Sequence, residues 1–273
     1  GSHPGAGRAP GGSAAAAHTV QAAYRATTDA KTATFQLDAA IQPASANGSS
    51  QRATITGRGQ ADFATKAFTL NITAPGGGVI KILLVHGTEY LQVPAAARSQ
   101  IPGHKAWVSV DLNKVSQAKL GASFSQVASV GNENPAQALS QLLAVSSGVA
   151  KAGHATVAGV PTTEYRAHVS LDKVAARAQA KEGANAARAI RQQIKALGTA
   201  TVPVDVWIDS HHLVRQIRYQ TPIPASGTGG SGKAVLTMTF TSFGTPVRLT
   251  PPPASQTTDI TGQVLQHAKA SSG

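Results

Sequence analysis

Apolar and polar residues alternate along the stretch between residues 201 and 243. Valine or isoleucine occupies every second position of residues 201–209, which is the period of a strand with two unlike faces. Residues 213–220 and 233–243 repeat the alternation, and Leu213, Ile217 and Tyr219 share the apolar face of the second strand. Because polar loops separate the three segments, the pattern predicts an antiparallel meander whose apolar side needs a cover.

The first half of the chain carries the same alternation and predicts six further strands, over residues 32–42, 51–65, 67–73, 79–85, 88–93 and 107–112. Gly57 and Gly59 indicate a bulge or bend in the second of these strands. The fourth is apolar except for Lys81, which predicts a strand covered on both faces. Two more predicted strands, over residues 149–157 and 160–171, bring the total to ten or eleven.

Helical spacing of apolar residues predicts helices over residues 13–30, 113–120, 135–145 and 172–197. Ser13 is a candidate N-cap for the first helix, and Gly183 is expected to break or bend the last. A glycine- and serine-rich loop separates the second helix from the third. The order of helices and strands predicts an α+β fold built on an antiparallel sheet.

The composition narrows the possible functions. The chain has 273 residues, no cysteine and a formal net charge of +12, so disulfides, cysteine metal sites and thiol nucleophiles are excluded. The charge favours an anionic partner such as nucleic acid, anionic lipid or acidic polymer. Most aromatic residues lie on predicted strands rather than among basic residues, which argues against nucleic acid. The sequence has no apolar run of about 18 residues, the length that would span a membrane.

Both ends differ in composition from the middle. Gly1-Ser2-His3 is interpreted as the remnant of an expression tag, and residues 4–13 as a flexible tether, because glycine, alanine and proline dominate them. Residues 251–273 are interpreted as a proline-rich, then polar, C-terminal tail. We expect one domain between them, over residues 14–250.

Motifs of known enzymes are absent from the sequence. It contains neither Gly-x-Ser-x-Gly nor His-Glu-x-x-His, and no two of its 12 carboxylates form a recognisable acid/base pair. His211 and His212 are adjacent, and neighbouring strand residues point to opposite faces, so they make a poor metal chelate. The sequence therefore predicts no enzyme, metal site or cofactor.

The predicted helix over residues 172–197 carries a stripe of basic residues. Its members are Lys173, Arg177, Lys181, Arg188, Arg191 and Lys195. One interpretation is the solvated face of a packed helix. The other is a contact with anionic lipid head groups, which a basic amphipathic helix can make.

Several short segments, in the same order, resemble the actinobacterial lipoproteins of the LppX/LprG type. They are EYL at 89–91, WVSVDL at 107–112, GVPTTEYR at 159–166, VWID at 206–209 with LVRQI at 213–217, and FGTPV at 243–247 with PPP at 251–253. The resemblance implies a LolA-like fold, which is a strongly curved antiparallel sheet, an unclosed barrel, with helices on its concave side. It also implies lipid acyl chains held between sheet and helices, and a signal peptide ending at a lipid-modified cysteine that anchors the protein outside the cytoplasmic membrane. This sequence contains no such cysteine, so the anchor would have to precede it.

The one-sided strands and the helices supply candidate contacts for acyl chains. These are Phe35, Leu37, Phe63, Phe68, Leu70, Ile72, Ile80, Ile82, Leu91, Leu139, Leu142, Leu143, Val206, Ile208, Leu236, Met238 and Phe240. An ordinary core uses the same residue types. Small residues at 122–123 and 146–148 leave space, however, and a 16-carbon chain costs on the order of 12 kcal/mol to expose to water. The expectation is an elongated apolar cavity of several hundred Å³ with one mouth rimmed by basic side chains.

Taken with what the resemblance implies, these observations predict a monomeric extracytoplasmic lipoprotein. It would bind lipid or glycolipid and carry or present it across the cell envelope, anchored to the outer face of the cytoplasmic membrane and without a nucleic-acid partner. Two alternatives remain open from the sequence. One is a lipid-gated sensor of the same fold that binds a partner protein, and the other is a basic module that binds acidic cell-wall polymer.

Overall fold

The computed structural model describes residues 14–43, 54–73, 78–117, 135–145, 148–223 and 232–270. The predicted N-cap Ser13, the predicted loop 121–134 and the small residues at 122–123 and 146–147 lie outside the described residues. The strands are β1 Thr32–Pro43, β2 Thr54–Asp62, β3 Ala67–Thr73, β4 Val79–Val85, β5 Thr88–Gln92, β6 Trp107–Asp111, β7 Ala150–Val157, β8 Val160–Ser170, β9 Thr201–Asp209, β10 Val214–Ile223, β11 Gly232–Phe243 and β12 Thr257–Asp259. The helices are α1 Ala14–Asp29, α2 Leu112–Gln117, α3 Pro135–Gln141, α4 Leu171–Glu182, α5 Ala184–Leu197 and α6 Thr261–Ala270.

All twelve strands belong to one sheet, in the order β12-β6-β5-β4-β3-β2-β1-β11-β10-β9-β8-β7. Every neighbouring pair is antiparallel except β12 and β6, and β12 and β7 are the two ends of the strand order, so the sheet is unclosed. The predicted α+β class, the unclosed antiparallel sheet and the β9–β10–β11 meander are confirmed. Over the described residues the sheet has twelve strands rather than ten or eleven, because a further strand forms in the segment interpreted as a tail.

That C-terminal segment is attached to the sheet edge over its described residues. β12 pairs in parallel with β6, and the Lys105 ammonium donates a 3.3 Å hydrogen bond to the Thr257 carbonyl. The Thr261 hydroxyl accepts a 2.9 Å hydrogen bond from the Asp111 amide, while Asp259 caps the start of α6 by accepting from the Thr261 amide. Hydrogen bonds from Thr261 lower the pKa of Asp259. The prolines at 251–253 are typical of an unstructured tail, whereas the threonines at 257 and 258 favour a strand.

Most apolar side chains of the sheet lie on one face, which we call the core face. The strand register places Phe35 opposite Phe240 and Leu37 opposite Met238, so their side chains share that face. Helix α1 packs on the core face, against β9 and β10, with Ala16, Ala17, Val20 and Ala23, which are all buried. Alanine adds little volume, so three alanines on the buried side of α1 allow the helix to lie close to the strands.

Pairing on the β9–β10 hairpin departs from simple alternation. The register shifts between Val214 and Gln216, so Val214 takes the core-face position that alternation assigned to Leu213. A bulge adds one residue to a strand and cannot be read from a period-two pattern. Ile217 and Tyr219 lie beyond the bulge and keep their predicted face.

Strand β4 is covered on both faces only toward its end. Ile82 joins the main core, while Leu83 and Val85 form a small second cluster with Ala67 on the opposite face. Val79, at the start of the strand, keeps 59% of its surface exposed. The prediction that the whole strand is covered on both faces is therefore wrong for its first residue.

Gly57 and Gly59 make no bulge, because β2 pairs in regular register with β1 and β3 through both positions. Their role is to leave room for neighbouring side chains. A Cβ atom at Gly59 would lie 2.6 Å from the Phe35 ring and would collide with the Thr69 carbonyl oxygen. A Cβ atom at Gly57 would lie 2.9 Å from a methyl of Leu70.

Replacing Gly59 by alanine is expected to lower the free energy of unfolding by about 2–3 kcal/mol, because the added methyl overpacks the core face. Urea denaturation measures this change. Gly262→Ala is the matched control: no neighbouring atom lies within 4 Å of the position that its added methyl would take, and alanine is favoured inside a helix. Equal stability of the two variants would contradict the close approach of Phe35 to β2.

Candidate ligand cavity

A cavity of about 440 Å³ lies between the helices and the turn that joins β2 to β3. Its walls come from α1, this turn, α3 with the 3₁₀ turn Leu142–Ala144 that follows it, α4 and α5. The lining residues are Tyr24, Thr28, Phe63, Lys66, Ala136, Ser140, Gln141, Leu143, Ala144, Val174, Arg177, Ala178, Lys181 and Ile190. The volume falls within the range of small-molecule sites, about 300–1,000 Å³.

The β2–β3 turn brings Phe63 and Lys66 to the cavity. The Asp62 carboxylate accepts hydrogen bonds from the amides of Ala64 at 2.9 Å and Thr65 at 3.1 Å, which closes the turn. Lys66 has a φ of 58°, the left-handed conformation that completes a tight turn. Phe63 is buried and packs edge-on against Phe240, with 6.2 Å between the ring centroids.

Helix α4 is tied to the end of α3 by two basic side chains. The Arg177 guanidinium donates a 2.9 Å hydrogen bond to the Leu143 carbonyl. The Lys173 ammonium lies 3.5 Å from the Val145 carbonyl. The last carbonyls of a helical segment lack partners within the helix, and cations are favourable there. These two residues therefore hold α4 over the end of α3, and Arg177 also lines the cavity.

Tyr219 holds α3 against the sheet from below. Its hydroxyl donates a 2.8 Å hydrogen bond to the Ala138 carbonyl, and the side chain is buried. Burial raises the pKa of the Tyr219 phenol far above its ordinary value, so the hydroxyl stays protonated and remains a donor. Leu139 and Leu142 then pack fully buried on the core face.

The structure distributes the 17 predicted acyl-chain contacts among four environments. Phe63 and Leu143 line the cavity. Phe63 also belongs to the packed core, with Phe35, Leu37, Phe68, Leu70, Ile82, Leu139, Leu142, Val206, Ile208, Met238 and Phe240. Ile72, Ile80 and Leu236 are half-buried against that core, and Leu91 is 37% exposed. Their contact with a lipid remains a prediction.

The predicted basic stripe also divides. Arg177 and Lys181 line the cavity, and Lys173 bonds to Val145 beside it. The remaining three, on α5, are exposed and do not line the cavity: Arg188, Arg191 and Lys195. The single predicted helix is two helices, because Gly183, with a φ of 96°, separates α4 from α5.

Sequence reasoning missed several residues of the cavity wall. Lys66 is the most consequential, since it places a third cation near Arg177 and Lys181. A lysine in a short turn gives no periodic signal, so only its position in the fold identifies it. The sequence pattern assigns Tyr24 to a helix but not to a cavity, and it does not distinguish Thr28, Ser140 or Gln141 at all.

The cavity lining has a mixed chemical character. Its lining combines aromatic and aliphatic side chains with three cations. Across the described parts of the chain, no group of three or more His, Asp or Glu side chains could hold a metal ion. Within the same parts, no helix is both long enough and apolar enough to cross a bilayer.

No protein-family model matches this chain. It is 28% identical over 180 residues to an uncharacterized 31.2 kDa protein from the rplA–rplJ intergenic region of Streptomyces griseus. That match covers 65% of this chain and 56% of the relative, so the chain spans little more than half of the relative's length.

The chain is also similar to solved structures from several bacteria. The lipoprotein LppX of Mycobacterium tuberculosis is 12% identical with a TM-score of 0.48, and the match covers 85% of this chain and 99% of LppX. LprF from Mycobacterium bovis is 11% identical with a TM-score of 0.46, covering 89% and 100%. A LolA superfamily protein from Nitrosomonas europaea is 11% identical with a TM-score of 0.30, covering 86% and 94%. At these identities the likeness concerns the fold alone.

Proposed function

We propose that this protein binds one amphiphile at a time, with an apolar chain inside the cavity and an anionic head group at the cations Lys66, Arg177 and Lys181. It then carries or presents that lipid outside the cytoplasmic membrane, anchored to the outer face of that membrane. The observation that supports this most directly is the cavity of about 440 Å³, in which apolar side chains and three cations occur together.

The apolar part of the lining supports a hydrocarbon ligand. Phe63, Leu143, Val174 and Ile190 contribute to it from four separate elements. Each methylene moved from water into such a site contributes roughly 0.8 kcal/mol. A chain longer than the cavity would have to displace α1 or α3 from the core face, since the residues beneath them are packed in one cluster.

The cations support an anionic head group. No salt bridge joins Lys66, Arg177 or Lys181 to a carboxylate within the described residues. Arg177 uses part of its guanidinium on the Leu143 carbonyl and keeps further N–H groups for a ligand. Unneutralised cations beside apolar side chains favour a carboxylate or phosphate at that position.

Native mass spectrometry of the purified protein, followed by solvent extraction, tests the proposal. We expect co-purified or added amphiphile to appear at one molecule per chain. Two probes with the same chain separate the two parts of the site: palmitate carries a carboxylate and hexadecanol does not. We expect palmitate to bind more tightly, because only its head group pairs with the cations.

Replacing Lys66 and Lys181 together by glutamine is expected to weaken palmitate binding by about tenfold, since each exposed ion pair contributes up to about 1 kcal/mol. Hexadecanol binding should stay unchanged. Lys81→Gln with Lys233→Gln is the matched control, because it removes the same charge from residues outside the cavity. Titration calorimetry with both probes gives the comparison.

Other outcomes would identify the alternatives. A stoichiometric membrane protein recovered with lipid-free protein would support a sensor that binds a partner. Binding that disappears at high salt and ignores the acyl chain would support a module for acidic cell-wall polymer. Either result, with no binding of palmitate or hexadecanol, would overturn the proposal.

A further inference from the structure

The outer surface of the hairpin formed by α4 and α5 is strongly basic. We call its six basic residues the hairpin cations: Lys173, Arg177, Lys181, Arg188, Arg191 and Lys195. All six are exposed. Four of them do not line the cavity, so ligand binding does not account for the surface as a whole.

The apolar side of α5 packs against the protein core and is not available to a partner. Ile190, Ile194 and Leu197 are half-buried and pack against the main core. On the outer side of the hairpin, Arg191 donates a 2.9 Å hydrogen bond to the exposed Gln179 side chain of α4. The basic side chains that remain outward therefore form a polar surface, and any contact made there is electrostatic.

The charge of this surface is not neutralised locally. Elsewhere in the sheet, Arg215 and Arg218 form ion pairs with Asp209 and Asp205 at 2.7 Å. Among the described residues, by contrast, no salt bridge joins a hairpin cation to a carboxylate. Asp172 is the one carboxylate on the hairpin whose side chain is described, and it is exposed. The hairpin thus presents a positive potential to its surroundings.

From this surface we infer that the α4–α5 hairpin docks on an anionic lipid bilayer. A basic helical surface attracts anionic lipid head groups and loses that attraction within about 8 Å at physiological salt. Residues 171–197 contain no aromatic side chain, so the surface lacks the stacking groups of single-stranded nucleic-acid sites. The docking itself does not depend on the ligand of the cavity.

Docking has one consequence that rests on the proposed function. Arg177 and Lys181 belong both to the hairpin cations and to the cavity lining. A bilayer held against the hairpin would therefore lie next to the cavity's cationic side, where an amphiphile could pass between bilayer and protein.

Vesicle sedimentation with the full chain tests the inference. We expect binding to vesicles of phosphatidylcholine mixed with phosphatidylglycerol, and no binding to phosphatidylcholine alone. The triple variant Arg188→Gln, Arg191→Gln, Lys195→Gln should weaken binding on the order of 100-fold, because each basic side chain at an anionic surface contributes about fivefold. It leaves the cavity lining intact, so palmitate binding should be unchanged.

Arg58→Gln, Lys81→Gln, Lys233→Gln is the matched control, because it removes the same charge from strands of the sheet. It is expected to bind vesicles nearly as well as the parent. Equal weakening by both triple variants would mean that net charge alone acts, and would overturn the docking surface. Binding to soluble polyglutamate as tight as to the anionic vesicles would overturn it too, in favour of a polymer partner. If the parent protein binds anionic vesicles but not palmitate, the result counts against the cavity proposal and not against the docking surface.

Discussion

Replacing Ala178 by phenylalanine is expected to weaken amphiphile binding on the order of 100-fold. Ala178 is buried on α4 and its methyl faces the cavity. A phenyl ring there would occupy the space of about four methylenes of a bound chain, each contributing roughly 0.8 kcal/mol. Palmitate and hexadecanol should lose affinity equally, because the change acts on the chain and not on the head group. Titration calorimetry with both probes measures the loss.

Ala176→Phe is the control for this variant. Ala176 lies on the same helix, is exposed and does not line the cavity, so the same change there should leave affinity unaltered. Overpacking at residue 178 is expected to cost about 1–3 kcal/mol of stability, and thermal unfolding will show whether the variant remains folded. A folded Ala178→Phe variant that binds both probes as the parent does would exclude this cavity as the chain site.

Replacing Asp209 by alanine is expected to lower the free energy of unfolding by about 3–5 kcal/mol, because it leaves the charge of Arg215 without its partner. The Asp209 side chain is fully buried. Its carboxylate accepts hydrogen bonds from the amides of His211 at 2.9 Å and Leu213 at 3.0 Å, and from Arg215 Nε at 2.7 Å. These contacts close the β9–β10 turn, so the loss affects both the turn and the ion pair.

The effect of this variant should depend on pH. Burial alone would raise the pKa of the Asp209 carboxyl. Hydrogen bonds from Leu213, Arg215 and His211, together with the charge of Arg215, outweigh this effect, so the pKa lies below its ordinary value. A carboxyl with a lowered folded-state pKa stabilises the protein above its unfolded-state pKa, and that contribution is lost as pH falls through the folded-state pKa. The stability difference between parent and variant should therefore be constant near neutral pH and shrink below about pH 4.

Asp62→Ala offers a comparison for the Asp209 variant. Asp62 accepts two turn amides in the same way, but no salt bridge joins it to a cation within the described ranges. Its replacement should cost only about 1–2 kcal/mol, the value of lost turn hydrogen bonds. Urea denaturation at several pH values measures both variants. Equal costs for the two would contradict the importance of Arg215.

Much of the fold could be predicted from the sequence because most strands have one apolar face. The side chains of Phe35, Leu37, Met238 and Phe240 occupy alternate positions, and the register places them on the core face as the alternation indicates. Where an extra residue enters a strand, as beside Val214, the period gives the wrong side chain. Likewise, Gly59 gives a signal for irregular backbone, whereas its function is to admit the Phe35 ring.

The candidate cavity was less predictable, because it depends on contacts between elements far apart in sequence. The spacing of Arg177 and Lys181 marked them as a basic stripe, and both line the cavity. Nothing in the sequence linked them to Lys66, since α4 and the β2–β3 turn meet only in the folded chain. The hydrogen bond from Arg177 to the Leu143 carbonyl could not be predicted either, because every residue has a backbone carbonyl and the sequence does not indicate which one is bonded.

The pairing of β1 with β11 brings early and late parts of the chain together. Thr34 and Thr241 bond through their hydroxyls at 2.8 Å although 207 positions separate them. Contacts at such separation form late, since a long loop must close before they stabilise anything. During synthesis, strands β1 to β6 would leave the ribosome before β11 does. Until β11 pairs with β1, the edge of β1 would stay exposed and could associate with other chains. This topology therefore implies slow refolding and a dependence on chaperones.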